Sequence, residues 1–411
     1  MPIVKPFKAV RPKVEFAKKI TSLPYDVISE KEAREELNKN PLTFFRIGRP
    51  EIHFPEGTDP YSEKIYQKGK ETIQEFLEKK YFHQDEKEHF YIYREIKGNI
   101  SQTGLVSLVS VEDYDQDLIK KHELTREEKE KDRVNHIVQT RAHAEPVFLA
   151  YPDHPELSFL IKTYIENHDC VYDFEDSQGV QNTLWIIEDA HIQFMIQSIF
   201  QSDIKALYIA DGHHRAKASS LTAEILKKSN PNHTGNESYN YFMAVSFPST
   251  QLEIMAYNRV VKSSVSIQDL IEKTAQNFEI SETELKNPRN KGEFILYHQG
   301  KTYLFQYKGK IPVLVSEKLD VSILQKTLLD PVLGIKNPRT DKNIDFVGGI
   351  KSFDYLKKLV DSKEFDYAFL LYPTSINDLF QIADQNEIMP PKSTWFEPKL
   401  KSGLFLHLIE E

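Results

Sequence analysis

The chain has 411 residues, of which 40% are hydrophobic and 11% aromatic, and this composition is typical of globular rather than disordered proteins. Because single hydrophobic cores stop growing at roughly 250–300 residues, the length predicts two cores. The 53 lysines and arginines against 62 aspartates and glutamates give a net charge of −9, which argues against duplex nucleic acid as the main partner. The single cysteine, Cys170, excludes an intramolecular disulfide and a thiolate metal cluster.

The N-terminus contains no apolar segment of the kind found in signal peptides. No stretch of the sequence approaches the roughly 18 apolar residues that a membrane-spanning helix needs. We therefore expect a cytoplasmic protein that does not associate with a membrane. The oligomeric state is left open by the sequence.

The first part of the chain predicts a loop, a short helix and a strand. Residues 23–28 are typical of a loop that leads into an extended run. Ser29 and Glu32 have the spacing of a capping box, which predicts a helix from Glu30 to about residue 38. Residues 43–47 favour a strand, and Arg46 on this strand is a candidate phosphate contact.

The middle of the chain alternates between strand and helix patterns. Asp59-Pro60 predicts the start of a longer helix, and residues 90–96 and 100–111 predict a hairpin around a three-residue loop. Further strands are predicted at 145–150, 183–187 and 241–247, and further helices at 157–167 and 190–201. This order favours an α+β or mixed α/β fold, in which helices pack on a mixed sheet.

Residues 112–133 are strongly charged and allow two interpretations. Three aspartates at 113, 115 and 117 have the spacing of calcium ligands, but the glycine and terminal glutamate of a calcium loop do not follow. His122 and Glu123 then precede a run of charged residues. They either project from a loop into a functional site or flank an exposed, solvated helix.

Residues 205–227 predict a strand, a tight turn and a helix. The apolar run 206–210 is typical of a buried strand, and Asp211-Gly212 is a turn signal in which glycine accepts a positive φ and aspartate can cap the following helix. Ala218, Leu221 and Ile225 recur at helical spacing, so the helix is predicted to begin at His213.

The first turn of this helix carries His213, His214 and Arg215, which are unfavourable at the positive end of a helix dipole unless an anion joins them. Free backbone N–H groups with one guanidinium and two imidazoles suit a phosphate. The alternative is that Asp211 caps the helix and the histidines are solvated. A metal held by both histidines is disfavoured, because adjacent helical side chains point about 100° apart.

The sequence Asp211-Gly212-His213-His214-Arg215, followed by two alanines at 216 and 218, resembles the signature of the ParB/sulfiredoxin-like superfamily. This form of the signature is that of the superfamily's free-serine kinases. The whole chain resembles a large, mostly bacterial family of unknown function through four further stretches: 23–29, 121–125, 346–349 and 389–396. The resemblance implies a ParB/sulfiredoxin-like nucleotide-binding core, and it favours His122 and Glu123 as site residues.

A soft boundary near residue 262 divides the chain into a nucleotide-binding or catalytic region, 1–262, and a smaller α+β region, 263–411, which we expect to close on the site. Gly348-Gly349 predicts a close approach of two backbone segments. Residues 390–396 are stiffened by two prolines and offer Lys392, Ser393 and Thr394 as candidate phosphate donors. The alternative is a loop in which Trp395 and Phe396 are core anchors.

The leading hypothesis is a small-molecule kinase that phosphorylates the hydroxyl of a free amino acid, with L-serine first, using ATP or ADP. Asp211 is placed to contact Mg²⁺ directly or through water. Asp26, Glu30 and Glu123 compete for the role of general base, and Asp26 is ranked first because Glu30 in the first helical turn simply opposes the dipole. The alternatives are a nucleotide-binding regulatory module and a nucleotide or phosphoester hydrolase.

Overall fold

A computed structural model describes residues 1–409. The strands are β1 (Val4–Lys5), β2 (Val10–Pro12), β3 (Phe82–Gln84), β4 (Phe90–Lys97), β5 (Ile100–Ser110), β6 (Ile119–Lys120), β7 (Ala142–His143), β8 (Val147–Tyr151), β9 (Tyr172–Glu175), β10 (Gln181–Ile187), β11 (Leu207–Asp211), β12 (Tyr241–Pro248), β13 (Glu253–Met255), β14 (Tyr257–Val261), β15 (Phe278–Glu282), β16 (Glu293–His298), β17 (Lys301–Tyr307), β18 (Ile344–Gly348), β19 (Tyr367–Leu371), β20 (Trp395–Glu397) and β21 (His407–Leu408).

The α-helices are α1 (Val14–Ile20), α2 (Glu30–Lys39), α3 (Phe45–Gly48), α4 (Glu63–Glu78), α5 (Val111–Asp115), α6 (Glu127–Thr140), α7 (Pro155–Asn167), α8 (Ala190–Ser202), α9 (His213–Ser229), α10 (Ile267–Thr274), α11 (Val315–Lys318), α12 (Asp320–Leu324), α13 (Phe353–Asp361) and α14 (Ile376–Asp384). A π-helical turn, Gln325–Leu329, continues α12. No helix in the described part of the chain is long and apolar enough to cross a membrane.

The chain forms two compact units. The first contains Met1–Leu252 together with the C-terminal segment from Pro398 onward, and the second contains Glu253–Glu397. The boundary predicted at residue 262 lies within the range of the second unit, and the last segment of the chain returns to the first. The functional division into 1–262 and 263–411 stays a prediction.

The first unit is built on a mixed sheet. Among the described residues nine strands join it, in the order β6-β11-β8-β12-β5-β4-β10-β9, with β1 beside β5. The pairs β11–β6 and β12–β8 are parallel, whereas the other pairs are antiparallel. Buried side chains of β8, β11 and β12 pack with those of α7, α8 and α9 in one hydrophobic cluster. The predicted mixed α/β fold is confirmed.

The second unit carries a separate antiparallel sheet in the order β15-β17-β16-β19-β14-β18, and β13 pairs with β20. Residues from alternate positions, such as Val260, Ala368 and Leu370, pack with α13 residues in one hydrophobic cluster. Because successive side chains of a strand point to opposite faces, Arg259 and Phe369 lie on the other face of this sheet.

One predicted element is wrong. Residues 43–47, predicted as a strand, form a turn that leads into the short helix α3. Phe44 and Ile47 pack in one hydrophobic cluster and Phe45 packs in another. A helical turn satisfies both clusters, because it places residues three apart on one face and their neighbour on another. Arg46 therefore lies on a helix and not on a strand.

Two local signals predicted helices that are present, one at the predicted start and one with a later start. The capping box is present at the start of α2, where the Ser29 hydroxyl accepts from the backbone N–H of Glu32 and the Glu32 carboxylate accepts from that of Ser29. The longer helix α4 begins at Glu63, later than the predicted Asp59-Pro60, because Asp59 accepts a hydrogen bond from the N–H of Tyr61 and forms a turn.

Candidate functional site

The motif at 211–215 forms the junction between β11 and α9. Gly212 precedes the helix with φ of 96°, in the left-handed region that favours glycine. A Cβ atom at this position would lie 3.0 Å from both Cζ and Nε of Arg215. Glycine is therefore needed here for its backbone conformation and for the space that the guanidinium occupies.

The sequence allows Asp211 to cap α9, but its side chain does not do so. Gly212 is the N-cap residue, and no side chain caps the helix. The Asp211 carboxylate instead accepts a hydrogen bond from the N–H of Gly212 at 2.9 Å and forms an ion pair with Lys399 Nζ at 3.3 Å. Lys399 comes from the C-terminal segment that returns to the first unit. The helix start thus keeps uncapped N–H groups, which is what an anion site requires.

The electrostatics of Asp211 are dominated by its cationic neighbours. Burial alone would raise the pKa of the Asp211 carboxyl, but Lys399 and Arg215 lower it well below its ordinary value. Asp211 is therefore ionised at any physiological pH. Its negative charge at the positive end of α9 also offsets part of the cationic charge there.

Arg215 is a buried cation with few hydrogen bonds. Arg215 is only 7% exposed. The guanidinium donates to the carbonyl oxygen of Pro146, and its buried Nε has no hydrogen-bond partner. Burial lowers the pKa of Arg215, but the carboxylates of Asp26, Asp211 and Glu145 outweigh burial and raise it. The guanidinium stays charged and retains unused donors.

The histidines are neutral and connect the helix to the loop before α6. Burial lowers the pKa of His213, and the neighbouring His122 lowers it further. His213 Nε2 accepts from the backbone N–H of His122 at 3.4 Å, and its Nδ1 lies 3.9 Å from Glu123 Oε2. His214 Nε2 accepts from the N–H of Arg126 at 3.1 Å. Since both Nε2 atoms accept hydrogen bonds, these imidazoles would offer a ligand their Nδ1 donors and no charge.

His122 is also buried, and burial lowers its pKa to about 4. Its ring meets that of His213 edge to face, with centroids 4.4 Å apart. The buried Nδ1 of His122 has no hydrogen-bond partner. His122 and Glu123, two of the predicted site residues, therefore lie beside the helix start in the folded first unit, and their catalytic role stays a prediction.

Asp26 lies on a 3₁₀ turn, Tyr25–Val27, that is held from two sides. The backbone N–H of Tyr25 donates to Glu145 Oε1 at 3.2 Å, and the guanidinium of Arg133 lies 4.1 Å from the centre of the Tyr25 ring. The Asp26 side chain itself is exposed. Its carboxylate is among the charges that raise the pKa of Arg215, so this turn lies beside the helix start.

Two residues of the site, Glu145 and Lys399, were missed by sequence reasoning. Glu145 Oε1 also accepts from the hydroxyl of Ser402 at 3.1 Å, and burial raises the pKa of this carboxyl despite the opposing effect of Arg215 and Arg133. No local pattern identifies Glu145, which simply precedes a buried strand. A cavity in the first unit is lined by Arg133, His143, Glu145, Arg215 and Ser219, among others.

The remaining predicted site residues make other contacts or belong to the second unit, and their roles stay predictions. Glu30 pairs with Arg34 at 2.6 Å on the same helix. Arg46 pairs with Glu75 at 2.7 Å and packs over a phenylalanine ring, so it has a complete structural role. Lys392, Ser393 and Thr394 belong to the second unit; their predicted role in phosphate binding stays a prediction.

The donor set does not build a protein-held metal site. No group of three or more His, Cys, Asp or Glu side chains among residues 1–409 could hold a metal ion. Asp211 is the one carboxylate at the helix start that was predicted to contact Mg²⁺, and it is paired with Lys399. Mg²⁺ in nucleotide sites is held largely by phosphates and water, with one or two carboxylates. The contact of Asp211 with Mg²⁺ stays a prediction.

Sequence comparison places the chain in a family. Residues 4–322 match the family described as "Protein of unknown function (DUF1015)", and the chain belongs to this family. The membership predicted from the motifs is confirmed. No curated protein matches the chain.

Comparison with solved structures finds distant likenesses. A free serine kinase variant in complex with AMP is 13% identical, with a TM-score of 0.37, and the match covers 71% of this chain and 87% of that chain. A conserved hypothetical protein from Pyrococcus furiosus is 15% identical, with a TM-score of 0.34 and coverage of 71% and 90%. SbnI with a C-terminal truncation, from Staphylococcus aureus, is 12% identical, with a TM-score of 0.36 and coverage of 71% and 82%.

Proposed function

We propose that the protein is a nucleotide-dependent kinase that phosphorylates the hydroxyl group of a free amino acid, with L-serine as the first candidate. The observation that carries this proposal is the state of Arg215, a buried guanidinium beside an uncapped helix start, with an Nε that lacks a partner. The resemblance of residues 211–215 to the motif of free-serine kinases supplies the choice of acceptor.

The helix start has the chemistry of a phosphate site. The N–H groups of the first turn of α9 and the guanidinium of Arg215 would donate to phosphate oxygens, and the helix dipole favours the negative charge. Arginine suits this task because its planar donors match two oxygens at once. Neutral His213 and His214 would add hydrogen bonds without further charge.

In the proposed reaction the acceptor hydroxyl attacks the terminal phosphorus of ATP or ADP. The new O–P bond forms as the bond to the leaving nucleotide oxygen breaks, and the hydroxyl proton passes to a carboxylate. Asp26 is the best candidate for this base, since it is exposed on a fixed turn beside Arg215, whereas Glu30 is committed to Arg34. Glu123, near His213, is the next candidate.

Glu145 and Arg133 would act by positioning. They hold the Tyr25 backbone and ring, and so they fix the turn that carries Asp26. Such placement matters because phosphoryl transfer depends mainly on orientation and electrostatic stabilisation. Mg²⁺, when bound with the nucleotide, would neutralise phosphate charge, and Asp211 is the residue that would contact it.

The first experiment incubates the full chain with Mg²⁺, either ATP or ADP, and a panel of amino acids, and follows the products by phosphorus NMR. We expect a phosphomonoester signal with serine. Release of inorganic phosphate without an ester would support a hydrolase instead, and binding without turnover would support a regulatory nucleotide-binding module.

A pair of variants tests the phosphate site itself. Arg215→Lys keeps the positive charge but loses the paired donors, and we expect it to weaken nucleotide binding by about 10-fold in calorimetry. The matched control is Arg34→Lys, a helical arginine that pairs with Glu30 on its own helix. Equal affinity of the Arg215 variant and the unmodified protein would contradict the assignment.

A further inference from the structure

A second buried arginine that donates only to backbone carbonyls lies in the other unit. Arg259 in the middle of β14 is 3% exposed. Its guanidinium donates to the carbonyl oxygen of Tyr257 and, at 3.0 Å, to that of Lys392. No carboxylate among the described residues forms an ion pair with it.

Comparison with another buried arginine shows how unusual this arrangement is. Arg11 of the first unit is 7% exposed and binds Asp85 through two hydrogen bonds of 2.7 Å. Burial lowers the pKa of Arg11, but Asp85 outweighs it and the pKa is raised. At Arg259 burial lowers the pKa well below the ordinary value, and only the Tyr257 phenol opposes it.

The cost of such a site is substantial. A guanidinium that leaves water without a counter-ion loses much of its hydration, and two carbonyl dipoles compensate for only part of this loss. A negatively charged ligand would compensate for the rest of this loss of hydration. Arg259 is thus a buried cation whose counter-ion is not among the described residues.

One aromatic ring lies over the guanidinium, and two further rings pack in sequence beside it. Phe346, directly opposite Arg259 on β18, has its ring centre 5.2 Å from the guanidinium carbon. The ring of Tyr257 lies 6.3 Å from that of Phe346 and 5.3 Å from that of Trp395, edge to face in both pairs. All three rings are half-buried, so they present apolar and aromatic surface beside the charge.

Of the two glycines predicted to allow a close approach of backbone segments, Gly349 lies against another backbone segment, whereas Gly348 makes room for a tryptophan ring. A Cβ atom on Gly348 would lie 2.6 Å from the ring of Trp395, and one on Gly349 would lie 2.7 Å from the carbonyl oxygen of Ala256. Any side chain at Gly348 would displace Trp395 from its place beside Tyr257. The stretches at 346–349 and 389–396, noted separately in the sequence, therefore meet in one cluster.

A second cation belongs to the same cluster. The exposed Lys392 holds its Nζ 5.3 Å from the centre of the Tyr257 ring. Its backbone has a φ of 59°, which is uncommon for a residue with a side chain. Ser393 donates to the carbonyl of Pro390 at 2.7 Å and Thr374 donates to the carbonyl of Ser393 at 3.0 Å, so this loop is held in place.

We propose that Arg259 and Lys392 bind the oxyanion of a small ligand, a phosphate or carboxylate group, whose remaining part contacts the rings of Tyr257, Phe346 and Trp395. The site lies wholly within the second unit and is independent of the proposed kinase activity. Arg259 supplies a buried charge, and Lys392 supplies an exposed one.

Fluorescence of Trp395 gives a local test in the full chain. The protein has two tryptophans, so a Trp185→Phe background leaves Trp395 as the only reporter. Inorganic phosphate and succinate are titrated separately, which distinguishes a phosphate site from a carboxylate site. We expect a saturable change for at least one of them, with a dissociation constant of about 1 mM or tighter.

Three variants in the same background identify the residues. Arg259→Met removes the buried charge and should weaken anion binding by at least about 10-fold, and the exposed Lys392→Ala should weaken it by about 3-fold. Arg289→Gln is the control, because Arg289 in the same unit is largely exposed and pairs with Glu293. Should Arg259→Met fail to fold, the Lys392 variant still decides the outcome.

The proposal is overturned if neither anion gives a saturable response, or if the Arg259 or Lys392 variant responds like the Arg289 control. Anion binding at the helix start of the first unit is separated by Arg215→Lys. This variant should leave the response of Trp395 unchanged, whatever happens to nucleotide binding.

Discussion

Replacing Gly212 by alanine tests whether the backbone at the start of α9 serves the guanidinium beside it. The chain offers a matched control in Gly235, which has the same φ of 96° as Gly212. A Cβ atom on Gly235 meets nothing within 4 Å, whereas one on Gly212 lies 3.0 Å from Arg215 Cζ. The two substitutions therefore share their backbone strain and differ in the contact with Arg215.

The expected magnitudes follow from these two terms. An alanine in the left-handed region costs roughly 1–2 kcal/mol, so both variants should lose about this much free energy of unfolding. For a unit of this size, that corresponds to a fall of roughly 2–8 °C in Tm. Gly212→Ala must also shift the buried guanidinium by a few tenths of an ångström, because the new Cβ atom would lie 3.0 Å from Arg215 Cζ and Nε, which is closer than ordinary contacts.

The measurement combines urea unfolding with calorimetric titration of ADP and ATP. We expect similar losses of stability in both variants, but a loss of nucleotide affinity of about 10-fold or more in Gly212→Ala alone. If Gly212→Ala binds nucleotide as tightly as the unmodified protein, the position of Arg215 is not what creates the phosphate site. Equal losses of affinity in the two variants would show that global strain is responsible.

Three further outcomes are expected. Asp26→Asn should lower phosphoserine formation by about 10²–10⁴-fold with nucleotide affinity little changed, whereas Glu30→Gln should do much less; the reverse result in steady-state kinetics would exchange the two assignments. Asp211→Asn and Lys399→Met should show a coupling of about 1–3 kcal/mol in a double-mutant cycle of unfolding, and additive effects would exclude a stabilising pair. Burial raises the pKa of Glu95 from 4.5 to about 7, so the folded protein keeps a proton that the unfolded chain releases, and stability falls as the pH rises between these values. Glu95→Gln should flatten that profile by up to about 3 kcal/mol in urea unfolding, and parallel profiles would contradict the argument.

Local chemistry explains which parts of the fold could be predicted. The capping box at Ser29 and the turn at Asp211-Gly212 act within a few residues, and both helices begin where these signals place them. The strand prediction for residues 43–47 is wrong because the burial of these residues is set by two hydrophobic clusters formed with distant segments. The sequence of a short apolar run does not indicate which hydrophobic clusters it will join.

The same distinction applies to the candidate site. The motif that contains Arg215 is contiguous and could be recognised, whereas its partners are remote in the chain. Lys399 and Asp211 are separated by 188 residues, and Glu145 and Tyr25 by 120 residues. Arg259 carries no local signal at all, because the absence of a nearby carboxylate is visible only in the folded unit.

The partners of four arginines, three of them buried (Arg11, Arg215 and Arg259) and one half-buried (Arg133), distinguish structural roles from the proposed ligand-binding roles. Arg11 is paired with Asp85, and Arg133 donates to Asp132 at 2.9 and 3.1 Å; Arg215 and Arg259 donate only to backbone carbonyls.

A buried charge without a counter-ion lowers the free energy of unfolding by several kcal/mol, in a protein whose total is about 5–15 kcal/mol. Replacing it by an apolar side chain of similar size should therefore remove this destabilisation. We therefore expect Arg259→Met to leave the free energy of unfolding unchanged or higher while it weakens anion binding by at least about 10-fold. Arg11→Met should lower that free energy by about 3–5 kcal/mol, because it strands a buried carboxylate. Urea unfolding measures both variants. A large loss of stability in Arg259→Met, with anion binding retained, would mean that this arginine serves the fold after all.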